Sequence, residues 1–474
     1  MSVLPTEDAT FALDVSVVVI GAGAAGLVAA LAAREEGAEV LVLEQDPVPR
    51  GSTALSAGLI PAAGTRWQRN AGVSDSPEAF AADILRKAEG EPDPLAVETV
   101  TRTIGPALEW LADRHGLPLS LVEGFRYPGH GADRMHGLPG RSGAALVDHL
   151  RRAAEAAGVE ILTEARDVAL HAADGRRVAG VRVERPDGSR EDVGCGALVL
   201  ACGGYGGDPA LVRRHVPELA DGLFFGHGGN RGDALRWGMG LGAAVRHLSG
   251  HQGHGSVAHP HGILVTWATI AEGGVQVNRD GERFADEARG YSEQAAEVLR
   301  QPGGTAFTLF DARIAAMARQ FEDFRQAEAA GAIASAADWA DLAVRLQLPA
   351  TVLERTMAEV DALKRTGGAD RHGRRFAGLR PLQPPFHGVR VTGALFHTQG
   401  GLVVDGDARA AGPDGAPLPN LFAAGGAACG VSGSRASGYL SGNGLLTAVA
   451  LGQLSGRAAA RLAARFGARP AADV

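Results

Sequence analysis

The sequence predicts an α/β protein whose core sheet is assembled from both ends of the chain around an inserted α+β segment. Three observations carry this. Residues 15–20 (VSVVVI), a glycine turn, an Ala- and Leu-rich stretch over 25–36 and Val40–Leu43 form a β-α-β unit near the start. From residue 384 the chain returns to strands and glycine turns and closes on a helical stretch over about 443–465. Between them, roughly 250–375 runs through histidine-rich loops and then alanine-rich helical segments. The expected organisation is a first part of the core over 1–235, a cap over 236–380 and a second part of the core over 381–474.

The remaining elements follow in order. Ser76-Pro77-Glu78 is a helix start, with a capping serine and proline at the first helical position, and helices are expected over 76–89, 94–114 and 143–157. Residues 160–200 alternate as strands and end in the apolar run Ala197–Ala201 before Gly203-Gly204. The 67 glycines are well above the usual share of roughly 7% and cluster in turns, as where backbone must approach a ligand closely. A net charge of −8 without a basic stripe argues against nucleic acid. No apolar run reaches the length of about 18 needed for a membrane span. Cys195, Cys202 and Cys429 make no C-x-x-C pair, which argues against a disulfide reductase. With no basic-then-apolar leader, a cytoplasmic location is the expectation.

Gly21-Ala22-Gly23-Ala24-Ala25-Gly26 lies between the first strand and helix, and Glu44 ends the next strand. Gly21 permits the tight turn, Gly23 lets backbone reach a pyrophosphate, and Gly26 lets helix pack on strand. The helix N-terminus offers free N–H groups to phosphate, and Glu44 can bond ribose hydroxyls. The small, hydroxylated run from Gly51 through Ser52, Thr53, Ser56, Ala57 and Gly58 suits a second phosphate and a ring edge. Asn420–Gly426 supplies another strand and glycine turn, including Gly425. Two widely separated segments gripping one long ligand fit FAD better than NAD. The fold class is thus an FAD-binding, Rossmann-like two-dinucleotide-binding core with an inserted cap.

These blocks, together with LVLACGGYGGD, GNRGDALRWGMGLGA, VQVNRDGERFADE, HTQGGLVVD and GYLSGNGLL, resemble the fumarate reductase and succinate dehydrogenase flavoprotein superfamily, which includes the 3-ketosteroid dehydrogenases. The resemblance spans about Val15 to Arg457. It implies hydride exchange between a flavin and a carbon–carbon bond next to an electron-withdrawing group, under a mobile cap. It also implies cofactor contacts from Gln45, Val168, Gly203, Asp233, Gly400, Gly442, Gly444, Leu445 and Leu446, besides the glycines and serines above. Covalently flavinylated members carry a histidine near the serine-rich segment. Ser52 and Thr53 stand there instead, so the FAD is expected to be non-covalent. Many members read A-A-G-E after the late strand, where this chain has Gly426.

The substrate positions depart further. Dicarboxylate-reducing relatives place one arginine four residues past the glutamate of R-F-x-x-E and another before L-G-G-N. The same count here reaches Tyr291 and Tyr439, two of only four tyrosines. A carboxylate wants a permanent bidentate cation, which tyrosine cannot supply. A ketone wants one neutral donor, and the tyrosine pair matches the ketosteroid dehydrogenases. Tyr439, with backbone N–H groups near Gly442, would polarise the carbonyl, and Tyr291 would take the α-proton. An ordinary tyrosine pKa of about 10 requires help from Arg289, a cap histidine or hydrogen bonds. Tyr127, His254, His397, Gly442 and Asn443 are further candidate substrate contacts, and retention of His397 hints at an anionic or polar group on the substrate. His251, His259 and His261 flank His254 without carboxylates or cysteines, so no metal site is expected.

The expected activity is an FAD-dependent dehydrogenase introducing a C=C bond next to a ketone, of a 3-ketosteroid or a smaller cyclic ketone or oxo acid. The alternative is a flavin-dependent reductase of an enone or unsaturated acid, the same half-reaction reversed. Its partners would be the small-molecule substrate and an unidentified electron acceptor. Two other classes stand behind these: a subunit passing electrons to a quinone or iron–sulfur partner, and a redox-silent nucleotide-binding scaffold.

Overall fold

A computed structural model describes residues 2–124 and 126–466 of the chain. The expected β-α-β opening is present as Leu13–Ile20, Ala24–Glu35 and Val40–Leu43. Every residue from Ala24 to Ala33 is buried, the signature of a helix apolar all round and enclosed by other elements. It packs on the last helix, Asn443–Phe466. That contact is close because Gly452 and Gly456 face Ala25 and Ala29, where a Cβ would meet backbone oxygen at 2.7 and 2.0 Å. Helices at Pro77–Lys87, Pro94–His115 and Gly143–Ala156 fall where they are expected, the first with the Ser76 hydroxyl accepting from the Ala79 N–H at 3.1 Å.

Among the described residues two large sheets dominate, beside two small ones of two and three strands. In the nine-stranded sheet, Leu13–Ile20 lies parallel between Val40–Leu43 and Arg190–Leu200, and Pro417–Ala423 joins Arg190–Leu200 from the far end of the chain. The hairpin Arg166–Ala173/Arg177–Glu184 extends this sheet. Its outer edge is Ser2–Pro5, which pairs parallel with Arg166–Ala173. That strand went unread in the sequence because it is short and lacks a run of β-branched residues.

The seven-stranded sheet is built around Phe386–Thr398, which pairs with His251–Ala258, Thr305–Asp311 and Ile333–Ala336. Sheet membership therefore changes after residue 398 rather than near 381, because this long strand is wholly paired within the second sheet. Each large sheet carries its own buried apolar core. Trp267, Ile270, Tyr291 and Tyr439 form a third, small cluster, and Tyr127 packs against both it and the second core.

Candidate active site

One large cavity runs through the molecule, lined by residues of both sheets. At one end the Gly21–Gly26 turn operates as the spacing predicts. Gly21 has φ +102°, and a Cβ on Gly26 would lie 1.8 Å from the Gly21 carbonyl oxygen. The Glu44 carboxylate accepts from the Ala22 N–H at 2.9 Å and the Asp46 N–H at 3.0 Å, which fixes it at the cavity wall. Burial raises its pKa. Thr53 Oγ1 accepts from the Ala24 N–H at 3.2 Å, joining the serine-rich segment to the first helix. The Ser52 hydroxyl accepts from Asn230 Nδ2 at 2.8 Å and the His227 N–H at 3.1 Å. Asp167 and Asp233 also line this end, and burial raises both carboxyls. Asp167 Oδ1 is buried without a hydrogen-bond partner.

The donor set fits a dinucleotide. A glycine turn and helix N-terminus suit a pyrophosphate, and the acids suit ribose and base donors while repelling a 2′-phosphate. Of the predicted cofactor contacts, Gly21, Gly23, Ala24, Ala25, Glu44, Gln45, Ser52, Thr53, Ser56, Ala57, Gly203, Asp233, Gly425, Gly442, Gly444 and Leu445 line the cavity. Gly26, Gly58, Val168, Gly400 and Leu446 do not. The first two and Gly400 are packing glycines, pressed against Gly21, Ser142 and His247 backbone respectively. Val168 sits at a β-bulge between Asp167 and Ala169, so its neighbour Asp167 faces the cavity instead. The glycine at 426 also has a reason. A Cβ there would lie 2.8 Å from the Gly204 nitrogen, so an acidic side chain would not fit this backbone.

The other end is aromatic. Tyr291 begins the helix Tyr291–Leu299, and the R-F-A-D-E block fixes that start. Glu287 is fully buried, pairs with Arg283 and with Arg374 (2.8 Å), and accepts the Gln276 N–H at 2.8 Å. Burial alone would raise its carboxyl, but the two guanidiniums outweigh this and hold it low. Gly290, at φ +147°, then turns the chain into the helix.

Tyr439 arrives from the turn before the last helix. Its ring lies 6.1 Å from that of Tyr291 at 63°. The two hydroxyls and Ser441 lie close enough to influence one another's ionisation, and Tyr439 Oη accepts the Gly444 N–H at 3.5 Å. Burial pushes both phenols well above their ordinary range. Tyr127 lines the same end, and burial pushes it up to about 12.

The two candidate histidines are held neutral. His254 stacks on Tyr291 (4.8 Å, 20°) and on Phe396 (5.2 Å, 22°), and burial lowers its pKa to about 3. Its Nδ1 accepts the Ser256 N–H at 3.2 Å. His397 sits against Tyr439 (5.5 Å) and over Gly444, and burial lowers it to about 4. A buried chain of side chains orients it: Asn443 Nδ2 donates to Ser432 Oγ (3.0 Å), Ser432 to Gln399 Oε1 (2.7 Å), and Gln399 Nε2 to His397 Nδ1 (3.1 Å). Asn443, expected at the substrate, thus supports His397 from outside the cavity wall. Of the helpers expected for Tyr291, Arg289 does not line this cavity but borders a smaller one that Tyr291 shares. The histidine on its ring is kept uncharged by the apolar packing around it.

Sequence reasoning missed Trp267, Phe396, Gln399, Ser441 and Asp323 on the cavity wall. Phe396 and Gln399 flank His397 in F-H-T-Q-G-G, and Ser441 lies inside Y-L-S-G-N-G, so a reading of whole motifs could have found them. Trp267 and Asp323 carried no signal. Among the described residues, no three His, Cys, Asp or Glu side chains gather as metal ligands.

The family model for an FAD-binding domain matches residues 16–445. The chain belongs to this FAD-binding family. It is an FAD-dependent oxidoreductase. It is similar to a probable fumarate reductase, Ifc3, of Shewanella frigidimarina (strain NCIMB 400), at 28% identity over 94% of this chain and 74% of the relative. It is also similar to a 4-oxocyclohexanecarboxylate 2-dehydrogenase of Sinomonas cyclohexanicum, at 28% identity over 95% of this chain and 93% of the relative. Among solved structures, the open conformation of a flavocytochrome c3 fumarate reductase superposes with TM-score 0.81 at 28% identity, covering 96% of this chain and 79% of the other. A 3-ketosteroid-Δ4-(5α)-dehydrogenase of Rhodococcus jostii RHA1 shares the fold, with TM-score 0.74 at 23% identity over 97% of this chain and 99% of the other. No helix among the described residues is long and apolar enough to cross a membrane.

Proposed function

We propose that this flavoprotein acts on a carbon–carbon bond α,β to a ketone, in the desaturating direction, on a substrate with an apolar carbon frame and with FAD held non-covalently. The observation that carries the reading is the pair Tyr291–Tyr439, packed ring against ring at the aromatic end of the cavity, where dicarboxylate reductases would need cations. Among the described cavity-lining residues the one arginine is Arg166, beside Asp167 at the nucleotide end. Both histidines near the tyrosines are neutral donors.

Bound FAD supplies the hydride acceptor. The chain supplies the rest. Tyr439, steadied by the Gly444 N–H, donates to the ketone oxygen where enolate charge develops. The His397 Nε2–H, fixed by Gln399, offers a second donor beside it. Tyr291 receives the α-proton. Leu55, Leu59, Met135, Leu264 and Phe321 provide an apolar wall for the substrate frame and exclude water.

Anaerobic loss of the oxidised flavin's visible absorbance tests this. The panel is a 3-ketosteroid, oxo-cyclohexanecarboxylates, simple cyclic ketones and succinate. A ketone is expected to bleach the wild type, and Tyr291→Phe to slow that step by about 10²–10⁴-fold with FAD retained. Bleaching by succinate alone, or reoxidation of reduced protein by fumarate but by no enone, would overturn the ketone reading.

A further inference from the structure

A neutral phenol can take a proton from carbon only if its own hydroxyl proton leaves as the new one arrives. For Tyr291 burial, reinforced by the neighbouring Tyr439, strongly disfavours a standing phenolate, and the stacked His254 is uncharged. The displaced proton therefore needs an acceptor and a way out.

Tyr291, Tyr439 and Ser441 border a second, small cavity as well as the main one. Its other walls include Lys87, Gly290 and Glu293, and it has space for about one water molecule. Glu293 lies in the same helix as Tyr291. Its Oε1 takes Lys87 Nζ at 2.5 Å, while its Oε2 is buried with no hydrogen-bond partner. A Cβ on Gly290 would lie 2.5 Å from that Oε2, so glycine is what lets the carboxylate fold back over the turn leading into Tyr291. Lys87 also donates to the Arg289 carbonyl at 3.1 Å. The Lys87 and Glu293 side chains are 18% and 14% exposed, so the pair stands between the small cavity and solvent. Burial raises the Glu293 carboxyl despite Lys87, bringing it toward a range where it can both accept and release a proton.

We propose that Glu293 is the proton relay of Tyr291, exchanging the phenol proton with solvent through the second cavity while Lys87 positions its carboxylate. The inference rests on Tyr291 as the proton-transferring group. The substrate C–H bond breaks and an O–H bond forms on Tyr291. The original phenol O–H proton passes through the intervening water to Glu293 Oε2, giving a neutral carboxyl, and from there to bulk water. The electron pair of the C–H bond stays with the substrate, and hydride departs to the cofactor as before.

The test uses FAD-loaded enzyme and the flavin half-reaction with whichever panel compound reacts. Glu293→Ala is expected to slow that step at least about tenfold, within the range of general acid–base contributions, and added formate to restore part of the rate. Glu293→Gln, which keeps the shape, is expected to be slow without rescue. Unchanged FAD content and melting temperature would show that both variants are folded. Rates equal to wild type, or slow rates that formate leaves untouched, would overturn the relay and leave the ketone reading standing. If only fumarate reacts, with chemically reduced protein, the ketone reading falls. The same variants are then compared in that direction, where the relay must deliver the proton instead.

Discussion

The nucleotide end of the cavity is built from backbone: glycines that bring N–H groups close, short hydroxyl side chains that tie loops together, and carboxylates at the wall. The aromatic end is built from side chains that reach in from six segments, around residues 127, 254–267, 291, 321–323, 396–399 and 439–444. At the first end polar groups hold a fixed ligand. At the second, burial removes charge from every phenol and imidazole, so the site offers neutral donors and acceptors. Among the described residues lining that end there is no lysine or arginine, and on the proposed reading a ketone oxygen would meet neutral donors there.

The sharpest way to break this contrast is Tyr439→Phe. If the aromatic end works through one neutral donor at the ketone oxygen, the loss should be about 3–4 kcal/mol, or 10²–10³-fold in the flavin-reduction rate. FAD affinity should be unchanged, because the phenol hydroxyl accepts the Gly444 N–H and takes no part in the glycine cradle of the nucleotide end. Stopped-flow reduction with the best ketone measures the rate, and a fluorescence titration measures the cofactor. A matching loss of FAD would mean that the two ends are not functionally separate.

The same contrast explains what was legible in the sequence. Glycine spacing before a helix is a local signal, because the pyrophosphate turn is closed by residues within one unit. It located the cradle from Gly21 to Glu44 without knowledge of any other segment. The two tyrosines were legible only through motif position, since the R-F-A-D-E block fixes Tyr291 through a buried ion cluster whose third member, Arg374, lies far along the chain. Trp267 and Asp323 were not legible, because which residues of the cap face inward depends on how the second sheet closes over the first. Nor was the charge state of His254. A histidine beside tyrosines reads as a possible cation, and only the stacking of Phe396 and the edge contact of Trp267 around it show otherwise.

Glu44→Gln probes the opposite end with a smaller expected effect. The amide keeps one acceptor for the Ala22 or Asp46 N–H but loses the charge that strengthens bonds to donors. The difference between a charged and a neutral hydrogen bond is about 1 kcal/mol, so the FAD dissociation constant should rise about five- to tenfold. The rate constant of the loaded fraction with a ketone should stay as in wild type. A variant that binds FAD normally but reduces it slowly would reverse the assignment of the two ends.

Asp323 provides the smallest and most discriminating effect, because it is the one carboxylate lining the aromatic end among the described residues. Burial, with Glu322 beside it, raises its pKa to about 6. The sign follows from linkage. A carboxyl whose folded pKa lies above its unfolded value of about 3.9 is protonated more readily in the folded state, so the folded state pays for ionising it. That cost is fully present above pH 6, shrinks as pH falls between about 6 and 4, and is absent below both values. Asp323→Asn should therefore stabilise the protein by roughly 1–2 kcal/mol at pH 7–8 and leave its stability unchanged near pH 3.5. Denaturant melts at the two pH values measure this. Equal stabilisation at both would mean that Asn improves packing rather than relieving a buried charge, and destabilisation at pH 7 would mean that Asp323 is held by a favourable partner. In that case the charge that Asp323 carries above pH 6 would be a stabilised feature of the aromatic end, and its distinction from the nucleotide end would rest on shape alone.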